Sequence, residues 1–363
     1  MRWSLRLGHL AGIALYVHVT FLLLLAWVAL LAWRQGDGAR AALGGVLYVL
    51  AIFAIVVLHE LGHALTARRY GIVTRDIVLL PIGGVARLER MPEEPRAELA
   101  IAVAGPMVNV VLAALCYALL RASGGTLADA SVATTGHSWL ASFTIANLVL
   151  AGFNILPAFP MDGGRVLRAL LSMRVDRTRA TEIAARVGQG FALLFGLYAL
   201  LAPNFLLLFI ALFVWMGAQG EAAAVQGAAT LAGVPVSQVM ITDLRTLSPD
   251  APLRAAVDHV LAGFQQDFPV VEQGRVVGVL TRAALLRALS RDGPEAAVAT
   301  AMERDFASAD PREPVERALE RLRRGPDRTI MPVLREGELV GVLTAENVGE
   351  FLLVQSALDR RTS

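Results

Sequence analysis

The chain has 363 residues, 56% of them hydrophobic and 18% charged, with a mean hydropathy of +0.57. That is too apolar for a soluble protein and implies several membrane spans, while the length leaves room for a soluble domain as well. The formal charge is only +2, and the basic residues are all arginines spread along the chain, which argues against a nucleic-acid partner; the single cysteine, Cys116, excludes an intrachain disulfide.

Residues 1–10 carry Arg2, Arg6 and His9 ahead of a first apolar span at about 11–33, with Trp27 and Trp33 toward its far end, where interfacial aromatics tend to lie. No small-residue cleavage site follows this run, so it reads as a span and not as a cleaved signal. After a polar turn at 34–40, a second span is expected at about 41–67, and 41–58 contains no charged residue. Its exit end reads His59-Glu60-Leu61-Gly62-His63. Residues four apart share one face of a helix, so His59 and His63 can put two imidazoles on one Zn²⁺, with Glu60 beside them as a base for water. The chain has only six histidines, which weighs against two core histidines falling at this spacing around a glutamate by chance.

Residues 75–90 place β-branched and leucine runs on either side of Pro81 and the Gly83-Gly84 pair, the pattern of a short β-hairpin or a re-entrant loop. Beside the metal helix such a loop would wall the active cleft, since irregular backbone at membrane depth needs protein or a water-filled cavity around it. An ordinary surface hairpin is the alternative. A third span at about 97–120 holds Gly105-Pro106 and Asn109, read as packing and kink positions. A loop at 121–138 leads to a fourth span, which begins near Trp139 and passes Asn147 and Asn154. Pro157 and Pro160 break it just before Asp162-Gly163-Gly164. An acidic residue at the end of a broken membrane helix needs a partner, and a metal on His59 and His63 is the obvious one.

Residues 165–186 are arginine-rich and read as a helix on the aqueous side. Two further spans are expected at about 187–201 and 205–216, separated by Pro203-Asn204. With six spans and an inward N-terminus, Arg2, Arg6, Arg68, Arg69, Arg75, Arg87, Arg90, Arg96 and the arginines of 165–186 fall inside, against only Arg34, Arg40 and Arg121 outside. The exit end of the metal helix, Asp162 and the C-terminal half are then cytoplasmic, in a multi-pass protein of the cell membrane.

Beyond a small-residue linker at 218–233 the composition turns to that of a soluble α/β domain at 234–355, with a tail at 356–363. It repeats: the run from Phe268 to Thr281 matches that from Met331 to Thr344, with the proline, both glycines and the threonine in the same register. Each copy, about 234–292 and 296–355, is strand, turn and strand after an amphipathic helix (253–264; 315–323). Two such units pack as a pair.

Together these motifs make residues 1–217 resemble the site-2 protease family of intramembrane zinc metalloproteases (peptidase family M50), in its branch without an inserted PDZ domain. The likeness rests on HELGH at His59 to His63, Gly83-Gly84, Gly105-Pro106 with Asn109, and Asn154 through Pro157 to Asp162-Gly163-Gly164. The fold class implied is a polytopic α-helical membrane domain of about six helices with a membrane-associated hairpin or re-entrant loop, followed by an α/β tandem CBS pair. By resemblance His59, His63 and Asp162 are the ligands of one Zn²⁺ and Glu60 is the general base. Asn154 contacts the substrate backbone or the developing oxyanion, with Gly83, Gly84 and Asn147 also at the substrate. Substrates implied are single-span membrane proteins of the anti-sigma factor, transcription-factor precursor or remnant signal peptide class.

The C-terminal repeat resembles CBS pairs that sense adenine nucleotides, with contacts at Thr281 and Thr344, although the acid expected three residues after each threonine is Ala284 in one repeat and Asn347 in the other. A homodimerisation platform is the equal alternative. Rival readings of the whole chain are a CBS-regulated transporter or channel and a catalytically silent membrane scaffold. A transporter has no need of Glu60 as a base, and the expected ligands and base are all present.

Overall fold

The computed structural model describes residues 3–35, 38–81, 83–89, 92, 94–130, 136–263, 265–323 and 329–362. Met1, Ile82, Arg90, Phe264 and Ser363, on which parts of the expected segments fall, lie outside the described residues, as do 131–135 of the expected loop. The chain separates into two compact units, Met1–Ala223 and Ala224–Ser363.

The first unit begins with a hairpin, β1 (Ser4–Leu10) antiparallel to β2 (Ile13–His18). The first span, expected from residue 11, therefore opens as a strand and becomes helical only in α1 (Val19–Gln35). Ala11 and Gly12 both have left-handed φ (52° and 85°), the conformation of a two-residue hairpin turn whose twist matches the strands. Helix α2 (Ala39–Arg69) then leads to β3 (Thr74–Leu80), parallel to β2, and β4 (Gly83–Leu88), antiparallel to β3. The sheet order is β1-β2-β3-β4, so β4 is an edge. Ile13, Val17, Ile77 and Leu79 on one face of this sheet are buried against Phe21 of α1 and Phe53, Val57 and Ala64 of α2. That packing lays β4 beside the HExxH turn.

Helix α3 (Pro95–Ala122) starts with proline at its first position, where the missing N–H costs nothing. Helix α4 (Gly136–Asn154) stops ahead of Pro157, and α5 (Asp162–Ser172) begins after a seven-residue irregular stretch. The single aqueous helix expected at 165–186 is instead broken. Asp176 accepts the backbone N–H of Arg179 at 2.9 Å and so caps a new helix, α6 (Arg177–Leu201), that runs on without interruption into the expected fifth span. Helix α7 (Phe205–Leu231) likewise continues through nearly all of the stretch expected as a linker, because its alanine-rich sequence is a strong helix former. Among the described residues four helices, α2, α3, α6 and α7, are long and apolar enough to cross a membrane, and α1 and α4 are shorter apolar helices. Leu193, Leu197, Leu201, Phe205 and Leu206 are exposed, the outward apolar surface of a protein whose solvent is lipid.

The second unit holds α8 (Leu253–Leu261), β5 (Phe268–Glu272), β6 (Arg275–Leu280), α9 (Arg282–Asp292), α10 (Val315–Arg323), β7 (Ile330–Arg335), β8 (Glu338–Thr344) and α11 (Ala345–Thr362). Its sheet order is β5-β6-β8-β7, two hairpins meeting along β6 and β8. Both hairpins turn on a residue and a glycine with left-handed φ, Gln273-Gly274 and Glu336-Gly337. The repeated Gly278 and Gly341 lie against Met302 and Glu303 in one copy and Met240 and Ile241 in the other; a Cβ at either would come within 3.0 Å of backbone oxygen. The expected tail is the end of α11.

Candidate metal centre

On α2, His59 and His63 point the same way, and Asp162, the first residue of α5, meets them. The two Nε2 atoms lie 3.1 Å apart; Asp162 Oδ2 is 3.2 Å from that of His59 and 3.1 Å from that of His63. Zinc bonds of about 2.0–2.1 Å in a regular tetrahedron give ligand separations of about 3.3–3.4 Å. The three atoms thus form nearly one face of such a tetrahedron. Both Nδ1 atoms are committed elsewhere: His59 donates to Asn109 Oδ1 and His63 to the Ile101 carbonyl at 2.6 Å. Those bonds fix the tautomer and leave the Nε2 lone pairs converging with a carboxylate oxygen, an arrangement that a cation at the centre reconciles.

Helix α3 supports this from behind. A Cβ at Gly105 would lie 2.2 Å from His63 Nε2 and 2.7 Å from His59 Nε2, so only glycine leaves room for the imidazoles. Asn109 in turn donates from Nδ2 to Asn147 Oδ1 at 3.0 Å, and Asn147 donates to the Phe143 carbonyl at 2.8 Å. Asn147, expected at the substrate, is 0% exposed and spends its polar atoms on these contacts, which puts it behind Asn109 as a support. Across the chain, Gly163 packs so closely on the carbonyls of Ile155 and Leu156 that a Cβ would fall within 2.2 Å of both. This closure carries Asp162 back toward α2.

A cavity of about 400 Å³ opens in front of the triad, lined by Glu60, Gly83, Gly84, Asn154, Asp162 and Arg165 among others. Glu60 Oε2 accepts the backbone N–H of Ala86 at 3.1 Å, from the edge of β4 that faces away from β3. Gly84 makes this approach possible: a Cβ there would be 2.8 Å from Glu60 Cγ. Asn154 lines the cavity from the last turn of α4 and donates to the Leu150 carbonyl at 3.0 Å. At the outer end of the hairpin Arg87 donates from Nε to Asp76 at 2.6 Å, and that hydrogen bond holds its guanidinium above the ordinary arginine value.

Sequence reasoning gathered His59, Glu60, His63, Asn154, Asp162, Gly83 and Gly84, and all seven line this cavity. It named Gly105 and Asn109 as packing and kink positions and Asn147 as a substrate contact without seeing their part as supports, and it did not single out Ile101 or a buried cluster of charged residues. Arg168 of α5 is 1% exposed, bonded to Glu98 of α3 and Glu221 of α7, with its guanidinium 5.1 Å from the centre of the Phe159 ring. Polar residues inside apolar helices were the available signal. In the second unit Thr281 and Thr344 are helix caps, accepting the backbone N–H of Ala284 and Asn347, and Asn347 donates to the Val239 carbonyl.

Residues 47–195 match the family model described as Peptidase family M50, and 236–291 and 298–353 each match the CBS domain model. A zinc metalloprotease of Methanocaldococcus jannaschii is 35% identical over 280 residues, covering 77% of this chain and 78% of that protein. The chain belongs to peptidase family M50. Rip3 of Mycobacterium tuberculosis H37Rv is 31% identical over 378 residues, covering 97% of this chain and 93% of that protein. Among solved structures, the site-2 protease from Methanocaldococcus jannaschii is 36% identical and covers 61% of this chain and 95% of that one, with a TM-score of 0.46. This M50 chain is accordingly a zinc metalloprotease that carries a tandem CBS pair and helices of membrane-spanning character.

Proposed function

We propose that this M50 protease hydrolyses peptide bonds within or near the transmembrane segments of single-span membrane proteins, as in regulated intramembrane proteolysis. The observation that carries the reading is the His59, His63 and Asp162 triangle with Glu60 in the same cavity, reached from helices α2, α4 and α5 of an apolar bundle. His59, His63 and Asp162 would hold one Zn²⁺. That ion supplies Lewis acidity, lowering the pKa of a water and polarising a carbonyl.

The remaining work falls to the chain's own residues. Glu60 Oε1, the oxygen not engaged by Ala86, takes a proton from the attacking water and delivers it to the leaving amine nitrogen. Asn154 presents its side chain to the substrate backbone or the developing oxyanion. A helical peptide has its carbonyls tied up, so the substrate must be extended, and the free edge of β4 offers it a strand to pair with. The arginine distribution supports a cytoplasmic active-site end and CBS pair in the cell membrane. The CBS pair is read as a modulator, through adenine nucleotide or through homodimerisation; substrates are of the anti-sigma factor, transcription-factor precursor or remnant signal peptide class.

The test is cleavage of a panel of tagged single-span substrates by purified protein, wild type against Glu60→Gln. Cleavage by wild type alone, abolished by a zinc chelator and restored by zinc, is the expected result. Equal cleavage by Glu60→Gln would remove Glu60 as the base, and no cleavage across the panel with zinc bound would favour a silent scaffold.

A further inference from the structure

We propose that Arg165 is the carboxylate-recognising residue of the cavity, taking either an acidic side chain of the bound polypeptide or a terminal carboxylate of a peptide chain. The inference rests on the peptidase reading above and adds a chemical preference to it.

Arg165 lies three residues after Asp162 on α5, which places the two on adjacent points of one helix face, and it lines the same cavity as His59, Glu60, Asn154 and Asp162. Two carboxylates share that cavity, yet Arg165 is paired with neither. Glu60 is engaged by the Ala86 N–H, and Asp162 by the two imidazoles. No described residue makes an ion pair or hydrogen bond with the Arg165 guanidinium. The contrast with Arg168, one turn further along α5, is sharp: that guanidinium is shared between Glu98 and Glu221 and stacked over Phe159. One arginine of this helix is satisfied by the fold, and the other lines the cavity of the candidate metal centre with no partner among the described residues.

A guanidinium presents a planar fork of donors that fits a carboxylate in bidentate fashion, and water-poor surroundings strengthen such a pair. Peptide hydrolysis also creates a carboxylate on the acyl fragment in this very cavity. A terminal carboxylate and an acidic side chain have the same chemistry here, and they separate by experiment.

Binding is measured on full-length Glu60→Gln protein in detergent, so that nothing is consumed, using fluorescent peptides from one single-span sequence truncated stepwise across the cut. Each peptide is made with a free acid or an amide terminus, and with Glu or Gln at the residues flanking the cut. One acidic member of a pair should bind roughly tenfold or more tighter than its neutral twin. In the Glu60→Gln, Arg165→Gln double variant the ratio should fall to about one, with partial recovery in Arg165→Lys. An acid-over-amide preference assigns the terminal carboxylate, and a Glu-over-Gln preference the side chain. A merely structural role would weaken acidic and neutral twins alike and leave the ratio unchanged, which would overturn the proposal. So would equal binding of the twins to the Arg165 protein. If no peptide bound any variant, the peptidase reading itself would fall, an outcome distinct from unselective binding.

Discussion

Gly105 offers the sharpest test of the metal centre. A Cβ added there would sit 2.2 Å from His63 Nε2, 2.6 Å from His63 Cε1 and 2.7 Å from His59 Nε2. Non-bonded carbon and nitrogen need about 3.5 Å, so Gly105→Ala forces the His63 ring back by roughly 1 Å. Metal sites tolerate departures of only about 0.2 Å, which means that the ligand is lost and not merely strained. Removing an outer-shell partner typically costs about 10–100-fold in affinity, so the loss of a ligand should exceed about 100-fold. The helix itself gains from the change, since alanine is better than glycine in a helix interior by about 0.8–1 kcal/mol. Zinc content by mass spectrometry, affinity by competition with a chromogenic chelator, and helicity by circular dichroism separate the two effects. Stoichiometric zinc of wild-type affinity in a helical Gly105→Ala protein would refute the placement of both histidines.

Two further outcomes follow from the supports. Asn109→Ala leaves the His59 Nδ1–H without its acceptor and Asn147 without its donor, so zinc affinity should drop about 10–100-fold in the same chelator competition; an unchanged affinity would mean that the contact orients nothing. Arg168→Met leaves Glu98, which is 4% exposed, with only Arg177 at 3.7 Å as a counter-charge, and should destabilise the first unit in detergent unfolding by about 3 kcal/mol, the low end of the range for breaking a buried pair. Adding Glu98→Gln should recover part of that loss, and a further loss in the double variant would contradict the pairing.

The residues of the candidate metal centre were legible because each is a residue type that an apolar segment otherwise avoids. His59, Glu60 and His63 interrupt a run of leucine, valine and alanine, and Asp162 follows the proline-broken end of another apolar run; nothing in packing alone explains them. The N-terminal strand was not legible for the opposite reason. Ile13, Leu15 and Val17 alternate with Ala14, Tyr16 and His18, but all except the last are apolar enough to merge with the helix that follows. The turn that starts the strand uses Ala11 at φ 52°, where the usual cue would be asparagine or a second glycine. The stretch at 218–233, within which the two units divide, is helical for most of its length because small residues carry two meanings. Glycine and alanine together suggest flexibility, yet alanine in number favours helix, and α7 runs to Leu231, which is buried in the core of the second unit.

The supports were hidden because their chemistry belongs to a face of α3 and not to any one residue. Glu98, Ile101, Gly105 and Asn109 recur at intervals of three and four, so they line one side of that helix. Taken singly, each has an ordinary reading: a charged helix start, a core aliphatic, a packing glycine, a polar residue in a kinked span. Together they do four different things. Glu98 holds Arg168 and with it α5; the Ile101 carbonyl fixes the tautomer of His63; Gly105 leaves space for both rings; Asn109 orients His59. The candidate ligands come from α2 and α5, and α3 contributes none of them. Its part is to set the distance and angle at which the other two helices meet, which is why a single methyl group at Gly105 should cost more zinc affinity than removal of the Asn109 side chain.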